Sequence, residues 1–311
     1  MGTAKAIRDG YGEALLELGR DDRNVVVLDA DLAESTRSSV FRDAYPDRFF
    51  NAGIAEQNMI NMAVGLALSG KTVFASSFAI FATGRCWEQL RNSVAATRAN
   101  VKVVASHGGL TVGPDGLSHQ CVEDISLMRT IPHFAVIVPC DWLEAKKAVL
   151  AAARMKGPVY IRTARPKTAQ VTAEETPFAI GKSVRLRPGD DVTIIACGVM
   201  VEAALEAAGD LASGGIAAGV IDMHTIKPLD AQAVMAAAIV SRSRSSPMAW
   251  ALVDLTVSAT TARPPVDSAR PTMTRHENRS GDSKCWPMPM VAPMNQKTSA
   301  SSISSLHVVR L

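Results

Sequence analysis

The apolar positions of this chain keep switching between two rhythms. "TAKAIRDGYGEALLELGRD" carries apolar residues at helical spacing and predicts an opening helix. "NVVVLDA" is a continuous apolar run ending in acids, as a strand buried on both faces should be. "RFFNAG" predicts a second short strand, and "AEQNMINMAVGLALSG" a helix closed by Gly70. "TVFASS" predicts another strand and "AIFATGRCWEQLRNSVAAT" another helix. "NVKVVASH" is a strand that runs into the Gly-rich loop "HGGLTVGPDGLSHQ". "FAVIVPC", "DWLEAKKAVLAAARM" and "GPVYIRT" then read strand, helix, strand. Strands and helices alternating at this size imply an α/β fold, with a mostly parallel, doubly wound sheet covered by helices on both faces. Ligands on such sheets bind at the carboxyl ends of the strands. The loops after "VVVLD", "FFNAG", "FASS" and "VVAS" are therefore where chemistry is expected.

The rhythm also sets the expected domains. The first spans residues 1–168, and the polar, turn-rich stretch 169–188 reads as a linker. A second α/β unit, 189–240, begins at "VTIIACG" and continues through "MVEAALEAAGDLASG" and "IAAGVIDMHTIKPLD". Residues 241–311, opening "SRSRSSPMAWALVDL", have no Phe, no Tyr and no sustained period, a composition that predicts disorder.

Composition narrows the function classes. Of 311 residues, 47% are hydrophobic and 20% charged, which fits a soluble globular protein with a substantial core. The net charge of +3 is mild and the 33 basic residues are scattered, so no nucleic-acid partner is expected. Apolar runs such as "AVGLALSG" are far short of a membrane span, and the N-terminus has no apolar signal core, so a cytoplasmic location is expected. Cys86, Cys121, Cys140, Cys197 and Cys285 are widely spaced, which predicts neither a zinc site nor a disulfide framework.

Three stretches carry candidate chemistry. "GIAEQNM" places Glu56 at a helix start among small and apolar residues; it either complements the helix dipole or handles a proton. "FASSFAIFATGR" places Phe78 and Phe81 three apart, expected to share a face of a starting helix, as core packing or as an aromatic site. "SHGGLTVGPDGLSHQ" gathers His107, Asp115 and His119 in one loop, either a surface turn or a working loop. Asp115 and His119 follow His107 by eight and twelve residues, too spread for a compact metal site.

Taken in order, "GIAEQNM … SSFAIF … HGGLTVGPDGLSHQ … PCDWLEAKKA … GPVYIR" resembles the pyrimidine-binding half of thiamine-diphosphate enzymes of the transketolase family. The 1-deoxyxylulose-5-phosphate synthases and the beta subunits of 2-oxo acid dehydrogenases are related. The resemblance covers about residues 5–240. It implies a thiamine-diphosphate pyrimidine-binding domain followed by a truncated or altered transketolase carboxy-terminal α/β domain. It also implies that Glu56 hydrogen-bonds N1′ of the cofactor's aminopyrimidine and promotes the tautomer that removes the C2 proton. An apolar pocket would favour that sharing of a proton. By the same resemblance Phe78 and Phe81 pack the aminopyrimidine, Gly84 replaces a further aromatic, and Asp31 is an acid near the cofactor. Asp115 and His119 hold the hydroxyl and carbonyl oxygens of a ketose, His119 with a catalytic role. His107, Arg165, Arg8 and Ser35 bind the substrate phosphate, with Arg162 close enough to compete with Arg165.

The pattern also has gaps. Full-length transketolases hold the diphosphate through Mg²⁺ with a G-D-G followed by an Asn, and this chain has no such motif. The resemblance therefore implies a separate amino-terminal, diphosphate-binding subunit that binds Mg²⁺ and shares thiamine diphosphate. Two copies of each chain, related by a two-fold, are expected. The expected function is transfer of a two-carbon ketol unit between sugar phosphates, with no activity from this chain alone. Alternatives are a subunit like 1-deoxyxylulose-5-phosphate synthase, a specialised sugar transketolase, or a non-catalytic remnant. The remnant reading comes from the tail. Read one base earlier, the codons of Met248–Ala249 and of Trp250–Ala251 both give Gly. Suitable codons for Ser243 to Ser246 allow Glu-Glu-Gln ahead of them, and that resembles the family's own ending. A frameshift near residue 241 is the expectation this raises.

Overall fold

The computed structural model describes residues 4–242. The expectations placed on the tail beyond them, disorder and a changed reading frame, lie outside the described residues. A short strand β1 (Lys5–Ala6) leads directly into α1 (Ile7–Asp21). There follow β2 (Val25–Asp29), α2 (Ala33–Thr36), α3 (Ser39–Ala44), β3 (Phe49–Asn51), α4 (Glu56–Leu68) and β4 (Thr72–Phe78). Two π-helical turns, Ile80–Arg85 and Leu90–Ala95, flank the short α5 (Trp87–Gln89). Next come β5 (Val101–Ser106), α6 (Asp124–Thr130), β6 (Ala135–Ile137), α7 (Trp142–Arg154), β7 (Val159–Arg162) and β8 (Lys167–Thr168). The last described elements are β9 (Val184–Arg187), β10 (Val192–Ala196), α8 (Met200–Ser213), β11 (Ala218–Asp222), β12 (Thr225–Lys227) and α9 (Ala231–Arg242).

Among the described residues the main sheet has seven strands in the order β12-β6-β7-β5-β4-β2-β3. All its neighbours pair in parallel except β12, which runs antiparallel to β6. The apolar run of β2 shows why both faces are covered. Val26 and Leu28 enter a core with Met59, Ile60 and Leu90, while Val25 and Val27 enter one with Tyr11, Leu15 and Phe41. Side chains alternate across a strand, so only a strand apolar at every position can serve two cores.

Close backbone approach sets α1 against α7. A Cβ built on Gly10 would stand 1.8 Å from the carbonyl oxygen of Trp142, so only glycine fits. α7 is capped by Asp141, which accepts the backbone N–H of Glu144 at 2.8 Å. α4 closes as expected: Gly70 has φ +94° and its N–H reaches the Ala67 carbonyl at 3.0 Å.

The region after β4 differs from the single helix that the spacing predicts. It winds as π-helical turns, wider than an α-helix, with the Thr83 hydroxyl donating to the Ala79 carbonyl at 2.7 Å. Such a local bond competes with regular α-helical pairing, and π-turns are frequent at functional sites.

A smaller sheet, β10-β11-β9, packs against α8 through Ala204, Ala208 and Val220. Within residues 169–188 the chain stays anchored: Thr172 donates its N–H and hydroxyl to Asp141, and β9 forms from the alternating V-R-L-R. Where β11 meets the start of α7, Glu144 and Asp222 lie buried together beside Cys140. One ligand-type atom from each of the three falls within 4.8 Å of the others. Burial first, and then the Glu144 carboxylate, push Asp222 up to about 9, while burial raises Glu144 as well. Two carboxyls this close share one proton rather than both ionising.

Candidate active site

The strand ends of β4 and β5, the start of α4 and the Gly-rich loop converge on one cluster. Glu56 is the first residue of α4, and its side chain is 3% exposed. The expected apolar setting holds for its burial but not for its charge. Arg85, from the first π-turn, donates Nη1–H to Glu56 Oε2 at 2.6 Å. Phe78 is the last residue of β4 and Phe81 lies on the π-turn, so the two do not share a helix face. Their rings nonetheless stack, with centroids 5.9 Å apart and planes 13° from parallel.

The Gly-rich loop folds back over this stack. His107 lies against Phe78, ring centroids 3.8 Å apart, and His119 meets Phe78 and Phe81 edge-on at 5.9 and 5.3 Å. The environment of His107 fixes its proton. Its Nε2 faces Arg8 Nη1 at 3.4 Å, so that nitrogen must present a lone pair. The ring proton then sits on Nδ1 and is donated to Ser106 Oγ at 2.9 Å. Burial, then Arg8 and Arg165, push His107 down to about 4, so it is neutral at ordinary pH.

Of the other predicted phosphate residues, Arg8 and Arg165 gather next to it, whereas the Ser35 side chain lines a separate hollow and does not join them. A cavity of ≈ 380 Å³ is lined by Arg8, Asp9, Arg37, Val112, Arg165 and Lys167 among others. Arg8 Nη1 donates to the Ser35 backbone carbonyl at 2.8 Å. Its buried Nε has no partner among the described residues. Arg165 reaches the Val112 carbonyl at 2.7 Å and Asp115 Oδ1 at 3.1 Å. Arg162 has another task. It is held by Asp124 Oδ2 at 2.8 Å, and a Cβ on Gly108 would stand 2.5 Å from its Nε. Arg162 thus braces the Gly-rich loop from beneath while Arg165 enters the cavity.

Asp31 stands in a different hollow. With φ +64° after β2, it pairs with Asn51 and lines a cavity of ≈ 410 Å³ together with Ser35 and Glu34. Sequence reasoning missed Arg85, Arg37 and Lys167. Each is a single basic side chain, and nothing in the spacing sets it apart from a solvated one.

These observations define a doubly wound α/β protein that carries an acid-and-aromatic pocket beside a cationic cavity at the ends of parallel strands. The chain matches the transketolase pyrimidine binding domain over residues 3–170 and the transketolase C-terminal domain over residues 181–245. A Methanocaldococcus jannaschii chain that bears the name of a transketolase C-terminal section is 52% identical over 235 residues, covering 75% of this chain and 74% of its own. A 6-deoxy-6-sulfo-D-fructose transketolase subunit from a Clostridium species is 42% identical over 233 residues, covering 75% and 72%. Among solved structures, a split-gene transketolase in an inactive beta4 tetramer gives a TM-score of 0.71 at 45% identity, over 77% of this chain and 78% of that one. The chain belongs to the transketolase family, whose pyrimidine binding domain is a thiamine-diphosphate module. Among the described residues no helix is long and apolar enough to cross a membrane.

Proposed function

We propose that this chain is the pyrimidine-binding, carboxy-terminal subunit of a split thiamine-diphosphate-dependent transketolase, moving a two-carbon ketol unit between sugar phosphates. The observation that carries this reading is the meeting of Glu56, the Phe78–Phe81 stack and the His107/His119 pair beside the Arg8/Arg165 cavity. The residues fit an aminopyrimidine: a buried carboxylate for a ring nitrogen and flat apolar faces for the ring. Thiamine diphosphate, when bound, supplies the nucleophilic carbon. Glu56 holds a proton at N1′, and Phe78 and Phe81 pack the ring. Asp31 is the acid near the cofactor. Asp115 and His119 hold the sugar oxygens, with His119 moving a proton there. Arg8 and Arg165 hold the phosphate, with His107 beside them. The orphaned Arg8 Nε is a donor suited to an oxyanion.

A partner chain supplies the diphosphate and Mg²⁺ site, and two copies of each chain assemble across a two-fold in the cytoplasm. Residues 1–168 form the pyrimidine domain, 169–188 the linker and 189–240 the start of the carboxy-terminal domain. The 42% identity to a sulfofructose transketolase subunit favours a second reading, in which the sugar carries a sulfonate instead of a phosphate. The test is co-expression with a diphosphate-binding partner chain and an assay of ketol transfer from xylulose 5-phosphate and from its sulfonate-bearing counterparts. Glu56→Gln should lower turnover about 10²-fold or more, the usual loss of a group that handles a proton. Robust turnover by this chain alone, or full activity of the variant, refutes the reading.

A further inference from the structure

We infer that Arg85 is a stand-in for the cofactor's aminopyrimidine. Arg85 holds the Glu56 carboxylate and lies over the Phe81 ring, and the pyrimidine must displace it. The inference rests on the reading of the Glu56 pocket as the pyrimidine site. The guanidinium gives an N–H to Glu56 Oε2 at 2.6 Å, and its central carbon sits 4.8 Å from the centroid of Phe81. A guanidinium is planar, donates in its own plane and stacks on aromatic faces. An aminopyrimidine offers the same plane, the same kind of bond to a carboxyl and the same stacking face. The two groups therefore compete for one acid and one ring.

Burial tells which partner moves. The Glu56 side chain is 3% exposed and fixed at the start of α4, whereas the Arg85 side chain is 47% exposed. Arg85's backbone is tied down by Gln57, whose Nε2 donates to the Arg85 carbonyl at 3.1 Å. The side chain can swing outward without the turn unwinding. Neighbouring Gly84 leaves that side open, since a Cβ there would meet only Ile80 Cδ1, at 3.7 Å. The Arg85 side chain thus occupies the acid and the aromatic face that the ring would use. A partner that holds the diphosphate end raises the ring's effective concentration enough to evict the arginine.

The test uses thiamine, which carries the aminopyrimidine without the diphosphate, titrated into the full chain and followed by NMR at Phe78 and Phe81. Arg85→Gln removes the charge and should bind thiamine about tenfold more tightly than wild type, the size of one charge-assisted contact. The double variant Arg85→Gln/Glu56→Gln should lose that gain. Arg85→Lys, which keeps the charge but loses the planar fork, should fall between. Unchanged circular dichroism and a cooperative thermal transition, whatever its midpoint, show that the variants are folded. If Arg85→Gln binds thiamine no better than wild type while both shift Phe78 and Phe81, the stand-in role is overturned and Arg85 helps to hold the ring. If thiamine at tens of millimolar moves neither phenylalanine in any variant, the pyrimidine-site reading itself fails and takes this inference with it.

Discussion

Replacing Asp222 by Asn should remove a pH dependence that is built into the fold. Asp222 on β11 and Glu144 on α7 are fully or almost fully buried, with Cys140 beside them. Asp141 and Cys197 also bear on the pair. In the unfolded chain both carboxyls are ionised above about pH 5. In the folded chain Asp222 is raised to about 9, so the pair keeps one proton through that interval. The folded state therefore binds one more proton than the unfolded state, and stability must fall as pH rises. The slope is about 1.4 kcal/mol per pH unit for one proton, or roughly 4 kcal/mol between about pH 5.5 and 8.5. Asn at 222 keeps the size, donates an N–H to Glu144 and has nothing to ionise. The variant should lose most of this slope and gain on wild type steadily with rising pH. The assay is denaturant unfolding of both proteins at about pH 5.5, 7 and 8.5 at fixed ionic strength. Taking the difference between the proteins cancels the titration of other buried groups such as His107 and His224. A difference that stays constant to within about 1 kcal/mol over that range would refute the shared proton.

Other predictions test the site. His107 should titrate near 4 by NMR and rise when Arg8→Gln removes the cation at its Nε2; a wild-type midpoint near its usual 6.5 would contradict the geometry. Because the unfolded chain takes up that proton first, His107 should also reduce stability as pH falls from about 6.5 toward about 4. Gly108→Ala should push Arg162 off Asp124 and cost about 2–4 kcal/mol, seen as a lowered melting temperature; an unchanged melting temperature would show that the loop does not rest on that arginine. Tyr11→Phe should cost about 1 kcal/mol in denaturant unfolding, since it leaves buried Ser76 Oγ without the partner it has at 2.6 Å.

The sheet and its helices were legible because their sequences leave little choice. A strand such as VVVLD is apolar at every position, and only a strand between two cores suits that. β12 was not legible as part of this sheet, since three residues, TIK, carry no period and its partner β6 lies far upstream. The π-turns were hidden because apolar spacing does not separate an α-turn from a wider one. For the site, the order of motifs brought Glu56, Phe78, Phe81 and the loop histidines to one place. What spacing could not reach was direction. Arg162 and Arg165 are three residues apart at the end of one strand, and only packing shows that one turns under the loop and the other into the cavity. Arg85 was hidden for a related reason: its importance comes from the carboxylate that the fold sets against it, 29 residues earlier in the chain.

β12 also bears on how this protein can be divided. The outermost strand beside β6 comes from the segment that matches the carboxy-terminal family domain, so the two segments share one hydrogen-bonded sheet. A fragment ending near residue 180 would leave β6 with a bare edge of unpaired N–H and C=O groups, ready to recruit strands from other chains. The pyrimidine segment expressed by itself should therefore aggregate, although it contains every residue of the candidate site. The same strand is in place by Lys227, upstream of residue 241, so a change of reading frame there would spare the closure of the sheet that carries the site.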